Sequence, residues 1–405
     1  MTDAKAYATV TAAYWGFTLT DGALRMLVLL HFHGLGYSPF DIALLFLLYE
    51  FMGIVTNLFG GWLGTLKGLR VTLFAGLILQ IFALVSLSFV DAGWAVGFSV
   101  VYVMVVQALS GVAKDLTKMS SKSAVKLVAG SDGSTLFKWV AVLTGSKNAL
   151  KGVGFFLGGL LLSLFGYQGA LLVMAGGLAL VLVGSFAVLT QELGKAKKKV
   201  KVAHLFSKKR EINLLSAARV FLFCARDVWF VVGVPLFLTA QLGWSFTSVG
   251  GFMAAWVIGY GAVQAVAPRF FENSEMQSTG AKKARNWAFG LAVIPLFLAY
   301  GAGWAPEPAW VLVGGLALFG VVFAINSAVH SYLILVYARE DGVALDVGFY
   351  YMANAVGRFA GTLLSGLVYQ YGGLSACLWV SALLVLMSAV FASVLARPSD
   401  ASSAT

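Results

Sequence analysis

The sequence predicts an all-α integral membrane protein with twelve transmembrane helices in two pseudo-symmetric six-helix bundles. Three observations predict it. Of the 405 residues, 60% are hydrophobic and 11% charged, with a mean hydropathy of +0.88; a soluble domain carries about 25% charged residues. The apolar stretches approach the roughly 20 residues that cross a hydrocarbon core, not the alternating segments of about ten found in barrels. Finally, a displacement of 207 lays one half on the other. LGYS at 35–38 falls on LGWS at 242–245, Lys151 on Arg358, Gly154 on Gly361, Gly159 on Gly366 and Gly166 on Gly373. Asp21 falls one residue from Asp227.

The first span, 7–32, holds Asp21 and Arg25 four residues apart on one helix face, acid first, the favourable order for a helical ion pair. These charges and the lack of a small-residue cleavage site argue against a removable signal. The second span, 40–64, carries Glu50, with Arg25 and Lys151 as candidate partners. Spans three and four cover 70–90 and 95–116. Beyond the fourth, Lys114, Lys118, Lys122 and Lys126 recur every four residues. That stripe reads as a solvated or lipid-contacting face, with an electrostatic funnel for anions as the rival reading. The fifth span, 140–165, carries Lys147, Asn148 and Lys151; the sixth runs 169–190.

The segment QELGKAKKKVKVAHLFSKKREI then divides the chain into an N-terminal bundle (1–190), a linker (191–212) and a C-terminal bundle (213–405). Span seven, 213–239, contains Arg219, Arg226 and Asp227. Adjacent Arg226 and Asp227 point about 100° apart, and Arg219 reads as snorkelling to the headgroups. Spans eight and nine cover 246–267 and 287–303. Span ten, 309–337, places Asn326 and His330 on one face, where polar residues also serve as interhelical glue. Arg358 lies in span eleven, 345–369, and span twelve runs 374–396.

Orientation follows from the loops. Those near 33–39, 91–94, 166–168, 240–245, 304–308 and 370–373 contain no Lys or Arg, whereas the opposite side holds Lys67, Arg70, the lysine stripe, Lys138, the linker, Arg269, Lys282, Lys283, Arg285, Arg339 and Arg397. The positive-inside rule puts both termini in the cytoplasm, in a bacterial inner membrane, with the linker at anionic headgroups. This accounts for the net charge of +11 without a nucleic-acid partner. Tyr14, Trp15, Trp94, Trp244 and Trp304 sit near span ends, as an interfacial belt does.

The charges inside the spans locate function. Nine of them facing lipid would cost roughly 20–30 kcal/mol at about 2.5–3.5 kcal/mol each, so they face one another or a polar cavity. Arg25, Lys147, Lys151, Arg219, Arg226 and Arg358 outnumber Asp21, Glu50 and Asp227, which favours a multiply charged anionic substrate. Arginine pairs bidentately with phosphate, arsenate or carboxylate, and lysine supplies a point charge. The candidate substrate-binding residues are Arg25, Lys147, Lys151, Arg226, Arg358, Asn148, Asn326 and His330, with the symmetry-related Lys151 and Arg358 foremost. Asp21, Glu50, Asp227 and Arg70 are candidates for coupling or gating, and a buried Glu50 would suit proton coupling. There is no phosphate-binding loop for an ATPase motor, no metal or nucleophile motif, and Cys224 and Cys377 are unclustered, so the sequence gives no sign of an enzyme or a cofactor.

GGWLGTLKGLR at 60–70 resembles the signature loop of the major facilitator superfamily, through Gly61, Leu63, Gly68 and Arg70; the usual acid and following arginine are Thr65 and Leu66. YWGFTLTDGALRMLVLLHFHGLGYSP (14–39), SGVAKDLTKMSSKSAVKL (110–127) and LTGSKNALKGVGFFLGG (143–159) resemble the ArsJ-type organoarsenical efflux permeases of that superfamily. The resemblance implies export of 1-arseno-3-phosphoglycerate, arsenate resistance and a functional link to glyceraldehyde-3-phosphate dehydrogenase, which forms the ester from arsenate. Transport of another organic phosphate or carboxylate is the alternative, since it calls for the same cations.

Overall fold

The computed structural model describes residues 3–67, 69–129, 133–189, 209–267, 273–301, 308–338 and 343–397. The side chains of the signature loop before Arg70, Lys122, Lys126, Lys138, the linker through 208, Arg269, Trp304 and Arg339 lie outside the described residues.

Eleven helices are described: α1 (Asp3–Gly34), α2 (Pro39–Lys67), α3 (Leu69–Leu87), α4 (Val96–Ala129), α5 (Gly133–Val188), α6 (Arg210–Phe230), α7 (Gly233–Ala240), α8 (Phe246–Val266), α9 (Asn273–Gly301), α10 (Pro308–Tyr337) and α11 (Val343–Leu395). Helix occupies every stretch expected to span. Eight helical stretches among the described residues are long and apolar enough to cross a membrane. Two of them, Ser146–Val188 and Asp346–Leu395, have 43 and 50 residues. At 1.5 Å per residue these run to about 65 and 75 Å, twice a hydrocarbon core of about 30 Å. Each is two passes joined at a glycine, Gly166 (φ 66°, ψ −176°) in α5 and Gly373 (φ 63°, ψ −162°) in α11. Only glycine enters that backbone region at low cost.

The internal repeat is written in the backbone. The positive-φ residues among those described are Gly36, Gly166, Gly243 and Gly373. Gly36 pairs with Gly243 and Gly166 with Gly373 at the displacement of 207 found in the sequence. Packing obeys the same operator. Helices α1 to α5 pack on one another, α6 to α11 do likewise, and the two groups meet where α5 lies on α8 and α2 on α11. A Cβ on Gly159 would strike the Phe246 carbonyl oxygen, and one on Gly366 that of Pro39, both far inside 3.0 Å. Pro39 and Phe246 are themselves 207 apart, so the two seams are copies. Gly159→Ala and Gly366→Ala are each expected to cost about 1–3 kcal/mol through overpacking. Thermal unfolding in detergent checks this; indifference at one seam alone would deny their equivalence.

The seventh span is broken between α6 and α7. The N–H groups of Val232 and Gly233 donate to Ser365 Oγ on α11, at 3.0 and 3.3 Å, which satisfies backbone that hydrocarbon would leave unbonded. The second pass of α11 is stapled to α6 by Ser381 Oγ to the Ala225 carbonyl (2.7 Å) and Ser388 Oγ to that of Ala218 (2.8 Å). The outside is apolar: Leu180, Phe297 and Trp310 are 77%, 73% and 73% exposed. The charges lie inside, where Asp21, Arg25, Glu50, Arg219 and Asp227 are all buried. A cleft of about 710 Å³ between α9 and α10 is lined by apolar residues such as Val293, Phe297 and Leu318 and holds none of this chemistry.

Candidate functional site

Glu50 of α2 is the hub. Its Oε1 accepts from Nη2 of Arg25 on α1 and from Nη2 of Arg358 on α11, the latter at 2.6 Å. Arg358 Nε lies 3.7 Å from Oδ2 of Asp227. Asp227 Oδ1 in turn accepts from Arg226 Nε at 2.6 Å. Tyr49 donates its hydroxyl to Asp21 Oδ1 at 2.5 Å. Lys114 Nζ lies 4.0 Å from the centre of the Tyr49 ring. Lys151 Nζ lies 5.8 Å from that of Phe155, and Asp21, Arg25, Lys114 and Arg358 are the charges that act on it. No carboxylate among the described residues lies within ion-pair distance of Lys151. Five basic side chains and three carboxylates thus form one cluster, with two basic groups in excess, assembled from α1, α2, α4, α5, α6 and α11.

Aromatic faces hold the guanidinium groups. Arg25 lies over Phe46 and Tyr49 (5.3 and 5.5 Å), and Arg226 is caged by Phe223, Phe323 and Phe230 (4.8, 5.5 and 5.7 Å). A desolvated cation on an aromatic face gains about 2 kcal/mol, which fixes the charge without neutralising it. A cavity of about 10 Å³ lined by Asp21, Leu24, Arg25, Phe46, Tyr49 and Gln107 lies beside it, about enough for one water. Within the cluster the guanidinium groups are met by the protein's own carboxylates, Glu50 and Asp227.

Several expectations change. Asp21 and Arg25 share a helix face but pair elsewhere, with Tyr49 and Glu50, because α2 brings stronger partners than the helix's own surface. Arg226 and Asp227 do bond to each other despite their angular separation, since the guanidinium is long enough to reach round. Arg219 does not snorkel; it is buried, bonded to Asn354 and Ser327. Asn326 and His330 are completely buried on α10 around Ser327, which bonds Arg219, and neither makes a hydrogen bond to the Glu50 cluster. Asn148 packs on Gly261 at the α5–α8 seam, and Lys147 has a neighbour one turn before Lys151. Arg70 lies over Phe74 and Phe186 at the N-terminal end of α3, at 5.4 and 5.2 Å.

The lysine stripe turns inward at its start. Lys114 enters the cluster, and Lys118 Nζ bonds Asn57 Oδ1 (2.9 Å) and Asp115 Oδ1 (3.1 Å), where Asp115 also accepts from Thr56. Sequence reasoning missed Tyr49 and Gln107, and placed Lys114 on the surface. The available signals were a tyrosine next to an intramembrane acid and a glutamine inside an apolar run. Tyr49→Phe leaves the Asp21 carboxylate short of a donor and is expected to destabilise by about 1–3 kcal/mol, read as a lowered unfolding midpoint.

No curated protein matches the sequence. Among solved structures, a POT family transporter in complex with a thioalcohol-conjugated peptide superposes with a TM-score of 0.73 at 13% identity, covering 96% of each chain. A bacterial homologue of the human drug peptide transporters PepT1 and PepT2 gives 0.69 at 15% over 98% of each. A bacterial homologue of the iron transporter ferroportin in an inward-facing state gives 0.67 at 17%, covering 96% of this chain and 99% of that one. These likenesses show the fold. The profile of the Major Facilitator Superfamily matches residues 7–345. The chain therefore belongs to the Major Facilitator Superfamily.

Proposed function

We propose that the protein exports a multiply charged organic anion by alternating access, and that this anion is an arsenylated phosphoglycerate, so that the cell is relieved of arsenate. One observation carries the reading: Glu50 is gripped at once by Arg25 of its own half and by Arg358 of the other. Such a bridge locks residues 1–190 to residues 213–405 while no anion is bound. A polyanion arriving from the cytoplasm competes with Glu50 for Arg25 and Arg358 and finds Lys151 without a carboxylate. The halves then rock about the α5–α8 and α2–α11 seams, and the bridge re-forms after release. In a bacterial inner membrane with cytoplasmic termini, export of an anion is favoured by about 2.3 kcal/mol per charge per 100 mV. The identity of the anion rests on the resemblance of residues 14–39, 110–127 and 143–159 to the organoarsenical permeases.

The test is uptake by everted membrane vesicles of the ester made in situ by glyceraldehyde-3-phosphate dehydrogenase from arsenate. Accumulation dependent on arsenate, on the dehydrogenase and on this chain supports the proposal. Equal uptake when phosphate replaces arsenate identifies a general organic phosphate carrier instead, and no uptake of either product rejects export of this anion.

A further inference from the structure

We infer that Arg219, Asn326 and His330 form a second oxyanion subsite, which takes the far phosphate or carboxylate of the same two-ended substrate; this rests on the polyanion reading above. Arg219 lies on α6, two turns before Arg226, and is only 4% exposed. Its Nε donates to Asn354 Oδ1 (3.0 Å), and its Nη1 to the Ser327 carbonyl (3.2 Å) and to Ser327 Oγ (2.9 Å). Its guanidinium also lies over the rings of Phe223 (4.1 Å) and Tyr350 (5.1 Å). No carboxylate among the described residues pairs with it. A buried guanidinium with neutral partners alone carries its charge uncompensated, an arrangement that costs several kcal/mol unless something anionic visits.

The neighbouring side chains are unsatisfied in the complementary sense. Asn326 and His330 on α10 are completely buried, and neither amide atom of Asn326 nor either ring nitrogen of His330 has a hydrogen-bond partner. They lie i,i+4 on one face, flanking Ser327, which holds Arg219. Arg219 is the charge that acts on His330. Buried polar side chains are nearly always bonded. The Arg219 guanidinium bonded to Ser327, with the Asn326 amide next to it in the chain and the His330 imidazole one turn on, supplies the kinds of donor an anionic oxygen cluster requires. Arg219 and Arg226 also sandwich the same Phe223 ring, at 4.1 and 4.8 Å. Seven residues of helix separate them by about 10.5 Å. One cation lies in the cluster that bridges the halves and the other among neutral hydrogen-bond partners, an arrangement suited to a ligand with an anionic group at each end.

Titration calorimetry on the full chain in lipid nanodiscs tests this with two probes, 3-phosphoglycerate (two anionic ends) and glycerol 3-phosphate (one). The native chain is expected to prefer the two-ended probe, and Arg219→Gln to reduce that preference roughly 10- to 100-fold. Asn326→Leu keeps the branched shape of the side chain and removes two orphaned polar atoms, so it should lower the same preference without lowering the unfolding midpoint. An unchanged preference in both variants, or equal weakening of both probes, overturns the subsite. Failure of the native chain to bind either probe overturns the polyanion reading itself, a result distinguishable from loss of the subsite alone.

Discussion

Glu50→Gln is expected to destabilise the protein by about 3–5 kcal/mol, and 3-phosphoglycerate is expected to restore much of the loss. The side chain is 1% exposed, and its two partners, Arg25 and Arg358, are 8% and 19% exposed. Removing one member of a buried pair strands the rest, and two guanidinium groups are stranded here. Asp227 relieves Arg358 only in part, at 3.7 Å. An anion that binds the folded state stabilises it by mass action. In this variant it also supplies the missing negative charge, so the ligand-induced rise in unfolding midpoint should exceed that of the native chain. The double variant Glu50→Gln with Arg358→Gln should recover part of the stability without ligand. A single variant as stable as the native chain would mean that the bridge contributes nothing to the fold.

Arg358→Ala and Lys151→Ala are each expected to abolish anion transport while leaving a folded protein, as judged by a monodisperse elution and a cooperative unfolding transition. Their effects on stability should differ. Arg358 neutralises Glu50 and approaches Asp227, so its loss leaves buried carboxylates with fewer partners. Lys151 has no carboxylate at ion-pair distance among the described residues, so its loss removes a half-buried, unpaired basic group and should be neutral or stabilising. Strong destabilisation by Lys151→Ala, or transport surviving it, would remove that residue from the binding role.

The sequence displayed the architecture more fully than the chemistry. The displacement of 207 is set by backbone needs that only glycine meets, at Gly36 and Gly243 and at Gly166 and Gly373, and such needs are visible in composition. The cost of charge in hydrocarbon likewise marks Glu50 or Arg358 without coordinates. Which charge meets which was hidden. Glu50 and Arg358 are 308 residues apart, and helical periodicity says what shares a face, not what the face meets. The Asp21–Arg25 pair was favoured by local spacing and lost to Tyr49 and Glu50, delivered by a neighbouring helix. Lys114 and Lys118 gave the pattern of a wet surface, although the first turn of that stripe still lies between helices. Arg219 lies near a span end, so its depth could not be read from position along the chain.

The central claim is that Glu50 holds, between turnovers, the cations that the substrate must take. The direct measurement is the affinity of 3-phosphoglycerate for the native chain and for Glu50→Gln, by calorimetry in nanodiscs. With its competitor neutralised, the variant should bind the anion about 10- to 100-fold more tightly, given charge-assisted bonds of about 1.5–3 kcal/mol, while carrying none across the membrane. Weaker or unaltered binding would show that Glu50 does not occupy the anion's place, and the mechanism would be wrong.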